Sequence, residues 1–118
     1  MLDVGFSGID TREVTMKLGN GIMNNKITGI PVKISADKTV DVCADRDQFF
    51  GKLTVIDTDG FGSVQRKGFC EFNYSGAVSC GFIKIVADGN GGVKEHNSGQ
   101  EYNVVSVDTV NNTLILDL

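Results

Sequence analysis

Apolar and polar residues alternate with a period of two along most of this chain, in short runs separated by glycine, asparagine and aspartate. Val14–Leu18 alternates and is broken by Gly19-Asn20-Gly21, a pair type that suits positive φ. Ile30, Val32 and Ile34 fall on one face, with Pro31 placing that segment at a sheet edge or making it the first residue of a strand. After the turn Ala36-Asp37-Lys38, Val40 and Val42 share a face. Phe50–Ile56 is a strand with Leu53 and Val55 on one side, turned by Asp57-Thr58-Asp59-Gly60. Ser63–Tyr74 reads as one long returning strand in which Cys70, Phe72 and Tyr74 share parity, and Gly68 marks a bend or bulge of the kind that closes a barrel. Phe82–Ala87, a hairpin turn at Asp88–Gly92, and a final hairpin of Tyr102–Val107 with Thr113–Leu118 complete the pattern. A helical period is not sustained over ten positions anywhere; residues 42–50 have room for one short helical turn. The expectation is an all-β chain, a small β-barrel or β-sandwich of about seven to nine short antiparallel strands.

Length and composition fit that picture. A chain of 118 residues makes one domain, able to bury about two-thirds of its unfolded surface. Glycine occurs 15 times, about twice its usual frequency, as many tight turns require. Residues 14–118 are expected to form the single β domain. Residues 1–13, where Val4, Phe6 and Ile9 lie among Gly, Ser and Asp without a period, read as an N-terminal arm able to contact a partner.

Charge narrows the partners. The net charge is −4 and the cations are scattered, so neither a nucleic-acid phosphate track nor a polybasic membrane patch is expected. There is no apolar run of membrane-spanning length and no basic-then-apolar leader at the start, so the chain is expected to stay in the cytoplasm where it is made.

The candidate chemistry is sparse. Cys43, Cys70 and Cys80 are spaced 27 and 10 apart, which fits neither a disulfide framework nor a zinc ribbon. Each is expected to be a small buried hydrophobe. His96, the only histidine, lies in a polar run and reads as a solvated loop residue without a nucleophile to activate. Asp57, Asp59, Asp88 and Asp108 follow strands, where aspartate caps turns through its own side chain. The Asp57–Gly60 turn lacks calcium-loop ligands, because Phe61 stands at the fifth position and Gly68 at the twelfth. Phe69, Phe72 and Tyr74 have no basic groove around them and read as core. No catalytic residue, metal ligand or cofactor is expected, and the surface should act by contact.

The stretch from Gly51 to Leu118 resembles small phage head proteins encoded beside the major capsid protein, among them capsid decoration (head-stabilisation) proteins. The residues that carry the likeness are Val64-Gln65, Gly68-Phe69, Tyr74-Ser75-Gly76, Lys84, Ala87 to Lys94, Gly99, Glu101-Tyr102, Val104-Val105, Val107-Asp108-Thr109 and Leu114 to Leu118. Val32 to Ser35 and Phe50-Gly51-Lys52 are similar to the same group. The resemblance implies a small β-barrel or β-tulip-like domain, a homotrimer on the capsid exterior of the virion, with the major capsid protein as partner. It brings no active site. Two rivals follow from the residues: a tail, baseplate or fibre-associated β-domain that binds a host glycan or another structural protein, and a small hydrolase that uses the acidic turns.

Overall fold

The computed structural model describes residues 12–118. The fold is nearly all-β: a closed five-stranded barrel followed by a second, five-stranded sheet. The elements are β1 (Arg12–Leu18), α1 (Asn20–Asn25), β2 (Pro31–Ala36), β3 (Thr39–Val42), β4 (Gly51–Ile56), β5 (Phe61–Lys67), β6 (Phe69–Asn73), β7 (Gly81–Ala87), β8 (Val93–Glu95), β9 (Gln100–Asp108) and β10 (Thr113–Asp117).

The barrel runs β1-β3-β2-β4-β5 and closes where β5 pairs with β1. Four of its pairings are antiparallel; β1 and β3 pair in parallel through Lys17 with Thr39 and Leu18 with Val40. The inward faces of Leu18, Val32, Val40, Leu53 and Val64 make its core, joined by Ile22 from α1. The alternation places Leu53 inside, yet Val55 is 46% exposed. A bulge between Leu53 and Val55 shifts the register against β5, so the parity flips and Val55 faces out beside Ser63.

The short helix α1 replaces the turn expected at Gly19-Asn20-Gly21, whereas residues 42–50 contain none. Its N-terminus has no side-chain cap of its own. The carboxylate of Asp41, on β3, supplies it instead: Oδ1 accepts the Ile22 N–H at 3.1 Å and the Val42 N–H at 2.8 Å. A cap brought nineteen residues along the chain satisfies an orphan donor as a local one would.

Gly68 splits the expected long strand in two, which with the short β8 raises the count to ten strands among the described residues. Its φ of 93° belongs to glycine, and it turns the chain out of the barrel into the second sheet. Buried Gln65 braces that corner: Nε2 donates to the carbonyls of Lys67 and Phe69 at 3.0 Å each, on either side of the glycine. The second sheet runs β6-β10-β9-β7-β8. It curls until its two edge strands meet, with Tyr74 bridging Val93 and the Ser75 N–H donating to the Val93 carbonyl at 3.0 Å. Its core is Cys70, Phe72, Ile85, Val93, Val104, Leu114 and Leu116, with Phe49 inserted from outside the sheet. β1 starts at Arg12, so Arg12 and Glu13 belong to the domain rather than to the arm expected over 1–13.

Candidate functional site: the joint and its two grooves

Residues 43–50 connect β3 to β4 and stitch the barrel to the sheet. Their two consecutive phenylalanines go to different cores: Phe49 packs into the sheet core and Phe50 against the barrel core. Phe49 meets Phe72 edge-on at 5.4 Å and stacks on Tyr102 at 5.2 Å. The backbone follows suit, with the Arg46 N–H donating to the Ala87 carbonyl and the Ala87 N–H to the Asp47 carbonyl, both at 2.9 Å, while the Phe50 N–H donates to Val32 at 2.6 Å. Gln48 reaches the sheet, donating from Nε2 to the Ser98 carbonyl at 2.6 Å and accepting the Gln100 N–H at 3.2 Å.

Three ion pairs lie along the joint, one of them between its own Arg46 and Asp45 at 3.9 Å. Lys94 Nζ is 2.5 Å from Asp45, and Lys33 Nζ is 2.6 Å from Asp47. The Lys94 ammonium holds the Asp45 carboxyl below the usual range. The Lys33 ammonium, helped by the Ala44 N–H, does the same for Asp47, and Asp47 in return raises Lys33.

Two grooves open between barrel and sheet. The first, of about 340 Å³, lies between α1 with its following loop and the Gly89–Gly92 turn. Its lining carries no charged side chain; the amides of Asn25, Asn73 and Asn90, the hydroxyl of Thr28 and the thiol of Cys43 are its polar side-chain groups. Burial pushes the Cys43 thiol up to about 12, so it stays protonated at neutral pH. The second, of about 480 Å³, is floored by Phe49, Phe50 and Tyr102 and rimmed by Arg12, Arg66 and Lys67. The Arg66 guanidinium lies over the Phe50 ring at 3.9 Å and donates from Nη1 to the Phe50 carbonyl. Burial raises the Tyr102 phenol.

The residues singled out from the sequence are dispersed. Val4, Phe6 and Ile9 lie outside the described residues. Asp57 and Asp59 sit in the β4–β5 turn, Asp88 in the β7–β8 turn and Asp108 at the end of β9, where the β9–β10 turn begins. Three of them bind their own turns. Asp59 Oδ1 accepts the Phe61 N–H at 3.3 Å. Asp88 Oδ1 accepts Asn90 at 2.7 Å and Gly92 at 3.0 Å, and Asp108 Oδ1 accepts Val110 at 3.0 Å. The Asn111 amide holds the Asp108 carboxyl low. His96 accepts the Ser98 N–H at its Nδ1, 3.1 Å away, in the β8–β9 turn. Of the three cysteines Cys70 is buried and Cys43 partly so, but Cys80 is exposed, because it lies in the loop before β7 rather than on an inward-facing strand position. Phe72 is core, as expected. The cationic rim was not anticipated. Its one sequence signal is Arg66-Lys67, the only adjacent pair of cations in the chain.

No protein-family model matches the chain, and no curated protein sequence does.

Proposed function

We propose that this chain is a structural virion protein that decorates and stabilises an icosahedral phage head, binding the major capsid protein as a homotrimer on the capsid exterior. The observation that carries the reading is the joint: residues 43–50 lock two β modules with separate cores into one stiff body. A stiff body loses little conformational freedom on docking, so more of each contact's free energy appears as affinity. A clamp across neighbouring capsid subunits needs that property, and three linked copies multiply a small contact through effective concentration.

The resemblance over Gly51–Leu118 supports the same reading. Several of its residues are ones this fold depends on: Gly68 at the corner, Asp88 organising its turn, and Gly99 packed against the Ile85 backbone. In this reading the chain needs no catalytic residue or cofactor. One observation favours the alternative of a tail, baseplate or fibre-associated glycan binder, namely the aromatic floor of the second groove.

The test combines sedimentation velocity with pelleting. The purified chain at micromolar concentration should sediment as a trimer of about 38 kDa, three times 12.6 kDa. It should also pellet saturably with heads assembled without it. A strict monomer that never co-pellets with heads would end the proposal, and a glycan-array signal in its place would establish the alternative.

A further inference from the structure

The second groove has a chemistry of its own. The chain as a whole is acidic at −4, yet three of its eleven cations, Arg12, Arg66 and Lys67, converge on this one rim. No Asp or Glu side chain lines the groove. Among the described residues the ion pairs engage only Lys33, Arg46 and Lys94, so the rim cations have no carboxylate partner there. The nearest acid in sequence, Glu13, is turned away and accepts from the Thr54 hydroxyl. The floor is apolar, and the exposed Gln100 beside it carries an amide that can both donate and accept.

We infer that this groove is a docking site for an acidic, extended peptide segment of a partner protein. Apolar side chains of the segment lie on Phe50, Tyr102 and Val14, and its carboxylates meet Arg12, Arg66 and Lys67. Arg66 already lies over Phe50 with Nη1 on the Phe50 carbonyl, which leaves its other N–H groups to meet a carboxylate at little further entropic cost. At about 480 Å³ the groove falls within the range of ligand sites, about 300–1,000 Å³. A neutral sugar would use the aromatic floor alone, whereas an acidic peptide uses the floor and the three cations together. A nucleic-acid backbone needs a longer run of cations than three. The inference goes beyond the virion reading and holds for any partner protein; its failure leaves the head-binding result untouched.

The test uses the full chain and fluorescence anisotropy. The probe is a labelled peptide of alternating Asp and Leu; comparison probes carry Asn or Lys in place of Asp, and an oligogalacturonate and an oligothymidylate stand for the other anions. The Asp peptide should bind saturably and lose affinity as salt rises. The Asn peptide should bind about tenfold more weakly, and the Lys peptide not at all. The R12Q/K67Q double variant leaves the Arg66–Phe50 contact in place, so its melting temperature should hold while its affinity for the Asp peptide falls about five- to tenfold. Amide resonances of Arg66, Lys67, Gln100 and Tyr102 should shift on titration. Absence of saturable binding up to millimolar peptide would overturn the inference. So would equal affinity for the Asp and Asn peptides, or tighter binding of either the oligouronate or the oligonucleotide.

Discussion

Replacing Asp47 by asparagine tests the joint at its most connected residue. Asp47 Oδ2 accepts both Lys33 Nζ at 2.6 Å and the Ala44 N–H at 2.8 Å, while its carbonyl accepts the Ala87 N–H from the second sheet. D47N keeps the shape and an acceptor for Ala44 but removes the charge opposite Lys33. The two side chains are 37% and 31% exposed, so solvent screens the pair and the loss should be modest, about 0.5–1 kcal/mol. For a domain of this size that is a fall of about 3–4 °C in melting temperature. D47A also strands the Ala44 N–H, adding about 1 kcal/mol.

The pH dependence has a definite sign. Asp47 is depressed in the folded state, so its contribution is complete above the ordinary carboxylate value of about 4 and disappears as pH falls through the lowered value. Lys33 is raised, so its contribution is complete below about 10.4 and disappears as pH rises through the elevated value. The gap between wild type and D47N should therefore be flat from about pH 5 to 9 and shrink toward pH 3. Urea unfolding followed by far-UV circular dichroism measures it, since the chain has no tryptophan. A variant as stable as wild type at pH 7, or a deficit undiminished at pH 3, would refute the assignment.

Other perturbations probe the remaining structure. Q65A uncovers the Lys67 and Phe69 carbonyls beside Gly68 and should cost about 1–3 kcal/mol in urea unfolding; an unchanged midpoint would show that the corner does not need its brace. At Gly99 a methyl group would stand 2.6 Å from the Ile85 carbonyl oxygen and 2.7 Å from its nitrogen, both backbone atoms that cannot swing aside. G99A should therefore lose about 1–3 kcal/mol, and a melting temperature equal to wild type would contradict that contact. Burial pushes the Cys43 and Cys70 thiols up to about 12, so iodoacetamide at pH 8 should label the native chain once, at exposed Cys80. Mass spectrometry finding two or three labels before unfolding would show that the buried thiols are accessible.

Much of this architecture could be read from alternation and turn residues. Pro31 does begin a strand, Asp59, Asp88 and Asp108 do bind their own turns, and Cys70 and Phe72 do face a core. What alternation cannot carry is anything set by distant partners. The helix α1 forms at an Asn-Gly pair because Asp41 caps it from β3. The parallel pairing of β1 with β3 depends on closure of the whole barrel. The bulge before Val55 is a register shift that leaves no mark in the spacing of Leu53 and Val55. Gly68 was visible as a break, but its place as the corner between two cores emerges only when Gln65 and the second sheet are in position. The groove is equally non-local: Arg12, Arg66 and Tyr102 come from three strands, so only the Arg66-Lys67 doublet hinted at it.

The most direct measurement is a cryo-electron reconstruction of heads assembled with and without this chain. Heads assembled with the chain should show added density in clusters of three on the outer capsid surface, with the barrel and the curled sheet resolved together as one rigid body. Heads that look the same in both preparations, or density at a tail or fibre instead, would contradict it.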